Sequence, residues 1–404
     1  MGALAGLPWR LLAWGALGIA LHVGLARIAY GVVLPSLRSE MGLGYTAGGV
    51  LNAIHLAGYL AGTLFGPGIA RRMGLARMAR WAHGLVAVGA LLCALVPIVA
   101  GVDVVLLGIG RLATGLGAGA AVIAIMVSVM AGVAEASRSA ASVLMWTGMA
   151  AAILACGLGA PWLLEPGMWR LVFVMAAALA LALALGLPVP ADVGAVAGAG
   201  AGSGAGAGAV PPSDAPFRLA SVASQRWAWL VATYACFGLG YIAYATFAGA
   251  RMAAAAAPVS VVALTWTLFG LATLCGSAAT LWLLGRPALR SLALPLAMAL
   301  AAVGCAVAAL PSAAAAGAGA LLVGLGLAAT PALVTAAARA RSSATDYARA
   351  FSIATAAMGL GQLAGPVLAG ALADRLGSAA APLFAATAYG LGALLAAIDR
   401  RAAG

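Results

Sequence analysis

The 404-residue chain has no lysine, nine acidic residues and three histidines, and charged side chains make up only 7% of it. Its five cysteines (Cys93, Cys156, Cys236, Cys275 and Cys305) all fall inside apolar runs, with no CxxC pair and no histidine placed as a partner. That pattern excludes a zinc site or a disulfide framework built on them and suits small buried core side chains. No Ser-His-Asp or HExxH arrangement occurs, and the polar segments are too short to form a catalytic domain, so no embedded enzyme is expected. A glycine-rich phosphate loop needs a lysine after it, which this chain cannot supply, so ATP hydrolysis is unsupported and no cofactor is expected.

All 21 basic residues are arginines, and the net charge is +12. They are dealt out between apolar runs and form no single basic patch with interleaved aromatics, which argues against a nucleic-acid partner.

What the chain has in abundance is apolar surface: 65% of residues are hydrophobic and the mean hydropathy is +1.11. A soluble protein of this composition could not cover itself with water-compatible side chains. The apolar residues fall in runs near the roughly 20 residues that cross a bilayer core. Twelve spans are expected. Six run over 9–35, 46–70, 79–99, 102–130, 139–164 and 168–188, and six more over 226–250, 258–284, 288–309, 313–338, 347–372 and 379–398. The first is read as a spanning helix and not as a cleaved signal, because no short hydrophobic core with a cleavage site appears. The organisation expected is a six-helix bundle over 1–188, a linker over 189–225 and a second six-helix bundle over 226–404. From Gly194 to Ala209 the linker is almost pure Gly and Ala, followed by Val210, Pro211 and Pro212, a composition that buries nothing specific.

Arginine placement tests this segmentation. With the N-terminus inside, fifteen arginines fall in cytoplasmic segments, four (Arg38, Arg170, Arg251 and Arg375) in outside loops, and Arg27 and Arg111 within helices. The positive-inside bias then puts both termini in the cytoplasm and requires an even number of spans. The halves also resemble each other. Gly24 to Tyr30 in helix 1 matches Gly238 to Tyr244 in helix 7 at five of seven positions. Gly115-Leu116-Gly117 in helix 4 recurs as Gly324-Leu325-Gly326 in helix 10, and Gly157 to Pro161 in helix 5 echoes Gly361 to Pro366 in helix 11. Three matches in the same helix order argue for a duplicated six-helix unit.

Leu107-Gly-Ile-Gly-Arg111-Leu-Ala-Thr114-Gly115-Leu-Gly117-Ala-Gly119 resembles the helix 4 motif of the major facilitator superfamily, Trp169-Arg170 with Phe173 resembles its usual helix 6 start, and Gly157 to Pro161 is similar to a reduced form of its helix 5 motif. Arg27-Ile28-Ala29-Tyr30 with Leu34-Pro35, and Gly58-Tyr59-Leu60 downstream, further resemble the YbfB/YjiJ-type branch. The resemblance implies an all-α membrane protein of two pseudo-symmetric bundles that rock around a central site, a secondary transporter by alternating access. Two departures stand out. The superfamily places an Asp before its Arg after helix 2, whereas this chain reads Ala70-Arg71-Arg72-Met73-Gly74. A cytoplasmic latch, if present, would set Arg71 and Arg72 against Glu135 near Arg138. The branch also tends to carry Asn where this chain has His55.

An ionised side chain in mid-membrane costs at least a few kcal/mol, so Arg27 and Arg111 demand an explanation. No Asp or Glu occupies the central part of any expected helix. Either an anionic substrate supplies the missing partner, to which Arg is well suited, or each Arg ties carbonyls of a neighbouring helix. Asn52, His55 and Tyr59 share one face of helix 2 and should face protein or a water-filled cavity. His55 is a candidate proton carrier, while His22 is a weaker one and His83 is expected at the membrane interface. Tyr30, Tyr241, Tyr244 and Trp266 are candidate cavity aromatics, and Gln362 of helix 11 is a further polar candidate. Gly58 with Gly62, and Gly115 with Gly117, are read as close-packing positions.

The reading from sequence is therefore a monomeric secondary transporter of the bacterial inner membrane, in contact with membrane lipid and moving a small organic anion. Efflux of amphipathic drugs and a transport-inactive sensor or scaffold remain the alternatives.

Overall fold

The structure, a computed structural model of the chain, describes residues 8–96, 102–134, 137–186, 225–284, 286–339 and 344–403. Among the described residues there are twelve helices and no strand. In chain order they are α1 (Trp9–Met41), α2 (Tyr45–Met73), α3 (Leu75–Ala94), α4 (Val102–Ala131), α5 (Arg138–Leu163) and α6 (Arg170–Leu185). There follow α7 (Gln225–Ala254), α8 (Val259–Leu284), α9 (Pro287–Ala308), α10 (Ala313–Arg339), α11 (Ala344–Leu376) and α12 (Ala380–Ala403). Ten are long and apolar enough to cross a membrane. The other two are α6, with 16 residues, and α3, whose Arg77, Arg80 and His83 dilute its first half.

Glycines set two of these ends. The helices α1 and α2 stop at Gly42 (φ 64°) and Gly74 (φ 83°), left-handed positions that a side chain would strain. Because Gly74 closes α2 so sharply, α3 begins four residues earlier than its apolar run. Arg77, Arg80 and Trp81 then lie on its exposed face, opposite Met78, Ala79, Ala82, His83 and Val86 on the buried one. The middle of α1, Ala20–Ile28, is π-helical, a wider winding that often marks functional positions.

The chain forms two compact units, Met1–Ala209 and Val210–Gly404. The expected linker core falls outside the described residues. Inside the first unit α1 packs on α5, α2 on α4, and α3 on both α4 and α6. Inside the second the same pairs recur, with α7 on α11, α8 on α10, and α9 on both α10 and α12. The repeated Gly-Leu-Gly carries the same job in each. A Cβ on Gly115 would strike the His55 carbonyl of α2, and one on Gly117 would stand 2.6 Å from the Ala82 carbonyl of α3. Correspondingly, a Cβ on Gly324 would stand 2.7 Å from the Phe269 carbonyl of α8, and one on Gly326 2.6 Å from the Ala297 carbonyl of α9. Without side chains at these points the helix backbones can approach closely, which is how helices associate where lipid removes the hydrophobic drive.

One expectation is corrected here. The four arginines assigned to outside loops lie in helix ends: Arg38, Arg251 and Arg375 in the last turns of α1, α7 and α11, and Arg170 as the first residue of α6. Arg251 is buried and donates to the Ala309 carbonyl at the end of α9 from Nη2 (2.8 Å) and Nε (3.3 Å). Its guanidinium satisfies a helix-end carbonyl that would otherwise lack a partner. His83 is fully buried among the helices, with its ring 5.0 Å from that of His22.

Candidate functional site

Six of the residues singled out in sequence meet inside the first unit. Arg111 lies two turns into α4 with 0% exposure, so every one of its donors must find an acceptor within the protein. Nη1 donates to the Ala26 carbonyl of α1 at 2.6 Å, Nη2 to the Asn52 side-chain oxygen of α2 at 2.7 Å, and Nε to the Leu51 carbonyl at 3.5 Å. The guanidinium also stands over the Tyr30 ring, 4.5 Å from its centroid. Tyr30 in turn donates its hydroxyl to the Gly48 carbonyl at 2.9 Å. Arg111 thus joins α1, α2 and α4 through neutral acceptors.

Arg27 closes the π-helical segment of α1, is 5% exposed, and stands over the ring of Tyr59, 5.4 Å from its centroid. This places the second arginine on the same core, with one ring under each guanidinium. Such contacts contribute about 0.5–2 kcal/mol, more when desolvated.

His55 completes the group. Its Nδ1 is 3.2 Å from the Thr114 hydroxyl, which itself donates to the Arg111 carbonyl at 2.9 Å. The Thr114 hydroxyl thus links the His55 ring to the backbone of α4. Thr114 was not picked out in sequence. The available signal was its place three residues after Arg111, one turn along the same face.

The corresponding core of the second unit is aromatic. Asn52 and His55 of α2 are matched through the glycine contacts by Trp266 and Phe269 of α8, and Arg27 and Tyr30 by Tyr241 and Tyr244 of α7. Trp266 and Tyr244 each meet Phe269 with ring centroids 5.7 Å apart, and Tyr241 stacks on Phe237 at 4.9 Å. Gln362 is buried on α11. The duplicated frame therefore carries a cationic polar core in one unit and an aromatic one in the other.

Of the expected latch, Arg71 and Arg72 are exposed in the last turn of α2, and Arg138 donates from Nε to the Met130 carbonyl at 3.2 Å. Glu135 lies outside the described residues. Among the described residues no cluster of three or more His, Cys, Asp or Glu could hold a metal ion.

Twelve helices among the described residues, ten of them long and apolar enough to cross a membrane, packed in two units of matching arrangement, describe a multi-pass membrane protein. Residues 19–398 match the family model described as "Uncharacterised MFS-type transporter YbfB", and the chain belongs to that family of the major facilitator type. No curated protein matches it in sequence. Among solved structures it is similar to a D-xylose–proton symporter (TM-score 0.75, 16% identity, 97% of each chain covered). It is also similar to the nucleoside transporter NupG (TM-score 0.69, 15% identity, 100% of this chain and 98% of that one). A third is a bacterial homolog of the human lysosomal transporter Spinster (TM-score 0.69, 16% identity, 98% and 96%). At these identities the likeness establishes the fold, which the major facilitator family lends to many substrates.

Proposed function

We propose that the protein moves a small organic anion across the bacterial inner membrane by alternating access, with both termini in the cytoplasm and the monomer as the working unit. The observation that carries this reading is the charge of the α1–α2–α4 core. Two arginines are buried there together, and the acceptors that hold Arg111 are two carbonyls and an amide, all neutral. Buried charge is stable only when paired, and a carboxylate is the group Arg grips best, through two parallel hydrogen bonds. Arg27 is assigned to the anion. Arg111, whose donors are already engaged on three helices, holds the site's shape and adds its field. Asn52, His55, Tyr30 and Tyr59 line the polar side, and Tyr241, Tyr244, Trp266 and Gln362 are assigned to the remainder of the substrate.

The test is a thermal-shift screen of purified protein against small carboxylates and amphipathic cations, beside Arg27→Gln. A ligand that binds the folded state alone at 100 times its dissociation constant adds about 2.7 kcal/mol, enough to see as a shift in melting temperature. The expected outcome is stabilisation by one or a few carboxylates that Arg27→Gln abolishes. Stabilisation of both proteins by cations, with no response to carboxylates, would replace this reading with drug efflux. A ligand that binds but does not cross a liposome wall would make the protein a sensor.

A further inference from the structure

His22 and His83 form a second buried polar site, toward the opposite end of α1 from Tyr30. Both are at 0% exposure, with ring centroids 5.0 Å apart and planes tilted by 58°. His83 spends its Nδ1 on the Ala79 carbonyl at 2.7 Å, so that nitrogen carries a hydrogen and the lone pair is on Nε2. That Nε2 has no hydrogen-bond partner, and neither ring nitrogen of His22 has one. The indole of Trp14 lies 6.3 Å from the His83 ring, and its Nε1 is unpartnered too. Four buried polar atoms from two helices therefore stand at one place with nothing assigned to them, which is rare in a folded interior.

We propose that the His22–His83 pair is a binding site for one proton. The proton comes from the aqueous phase and adds to a lone pair, either Nε2 of His83 or the unprotonated nitrogen of His22. If it adds to His83, the imidazolium keeps its Nδ1–H bond to Ala79 and carries its new N–H on Nε2, with the His22 ring 5.0 Å away. A second proton is refused, since two cations this close in a medium of low dielectric repel strongly. Two neutral rings and one shared proton are the states available.

The surroundings leave these rings as the groups that titrate there. The α4 face toward α1 sets Ile125 against Gly18 and Val129 against Gly15, with the buried Ser128 hydroxyl on the same face, and the α5 face presents Gly148 and Ala152 to Ala16 and Gly24. The helix α6, which packs on α3, buries Val172, Phe173, Ala176, Ala177, Ala180 and Leu183, none of them titratable. On α3 the nearest charge is Arg80, one turn from His83 and exposed. Farther along the core lie His55, Arg27 and Arg111, none of them acidic. The described carboxylates of this unit are Glu40 at the far end of α1, Asp103 in the first turn of α4, and Glu165 beyond α5. Imidazole is thus the side chain there whose ordinary titration lies near neutral pH.

The two sites share a backbone segment. His22 is the third residue and Arg27 the eighth of the π-helical stretch Ala20–Ile28. A change in its winding moves both, giving a mechanical path between proton occupancy and the anion site. This coupling rests on the anion-transport reading, whereas the proton site does not.

The chain's three histidines make the test direct. Protein labelled with ¹⁵N-histidine is reconstituted in phospholipid bilayers without substrate, and its ring nitrogens are followed by solid-state NMR over roughly pH 4 to 9. His22→Gln, His83→Gln and His55→Gln assign the signals. The expected result is conversion of one imidazole-equivalent of the His22–His83 pair to imidazolium. It should persist in His55→Gln and be altered by substitution of either partner. Two neutral rings throughout the range would overturn the proposal, as would two independent protonations. Because the natural protein alone gives the decisive spectrum, poor folding of a variant does not leave the question open. Coupling is read separately, as carboxylate uptake into liposomes with and without an imposed pH gradient. Equal uptake in both, alongside one-proton titration, would remove the coupling and leave the site. Binding of no carboxylate at all would remove the anion reading while the titration still stands.

Discussion

Arg111 of α4 donates from Nη2 to the side-chain oxygen of Asn52 on α2 at 2.7 Å, in a site with no exposure to solvent. Since guanidinium only donates, Asn52 is held with its oxygen toward the arginine. One neutral amide thereby positions a buried cation without cancelling its charge. The distinction gives a sharp prediction. Asn52→Asp keeps the hydrogen bond and supplies a carboxylate, so the protein should fold and melt at or above the natural temperature. The same change cancels one of the two positive charges of the core, and the affinity for a stabilising carboxylate should fall at least about tenfold, equivalent to about 1.4 kcal/mol. Asn52→Ala should instead lower stability by about 2 kcal/mol, as expected for a lost bond to a charged group. If Asn52→Asp binds the carboxylate as well as the natural protein does, the charge of this core does not select the substrate.

Tyr59 lies under Arg27 with its ring centroid 5.4 Å from the guanidinium carbon. Tyr59→Leu removes the aromatic face while keeping apolar bulk. Carboxylate affinity should drop by about two- to tenfold, in line with roughly 0.5–1.4 kcal/mol for the ring contact. Tyr59→Phe retains the face and should bind more tightly than Tyr59→Leu. Isothermal calorimetry with the best carboxylate from the screen orders the three proteins, and equal affinities for Phe and Leu would take the ring out of the site.

The helices were legible because lipid imposes length and apolarity on each of them. The run expected over 258–284 is the helix Val259–Leu284, and that over 102–130 is Val102–Ala131. The repeat was legible for a packing reason. Gly115 and Gly324 cannot carry a Cβ without meeting a partner carbonyl, so the duplicated unit retains them in the same place. What escaped the sequence was set by three-dimensional contact. Nothing in the composition of Ala20–Ile28 marks π winding. Arg251 resembled a helix boundary because its acceptor, Ala309, is 58 residues away. The start of α3 was also set by a turn: Gly74 begins the helix at Leu75, four residues before its apolar run.

Glu40 is the acceptor that ties the far end of α1 to the start of α6. Its carboxylate receives the Trp169 Nε1–H at 2.7 Å, the Arg170 Nη1–H at 2.7 Å and the Gly167 N–H at 3.2 Å. The Arg170 pair is partly exposed and by itself contributes about 0–1 kcal/mol. The indole and backbone donors, however, lose their acceptor with it. Glu40→Ala should therefore cost about 1–2 kcal/mol, and Glu40→Gln distinctly less because its oxygen still accepts. Thermal melts followed by tryptophan fluorescence measure both, and equal losses would mean that charge pairing alone holds this end.

The paired glycines allow the duplicated architecture to be tested unit by unit. Gly115→Ala drives a methyl group into the His55 carbonyl, and Gly324→Ala does the same to the Phe269 carbonyl with a Cβ separation of 2.7 Å. Both should destabilise by about 1–3 kcal/mol, the usual cost of overpacking, because backbone on both sides leaves no flexible group to give way. Gly115→Ala should be the worse, its approach being the closer. It also shifts α2 at His55, and hence Asn52 one turn away, so it should weaken carboxylate binding as well as stability. Gly324→Ala should reduce stability while leaving Arg27 and Arg111 in place, with the carboxylate response largely retained. Gly84→Ala meets nothing within 4 Å and replaces a poor helix former in α3, so it should be neutral or stabilising by up to about 1 kcal/mol. Melting temperatures of the three variants, with and without carboxylate, separate the effects. Tolerance of Gly115→Ala at the natural melting temperature would show that α2 and α4 do not approach as closely as the His55 carbonyl contact requires.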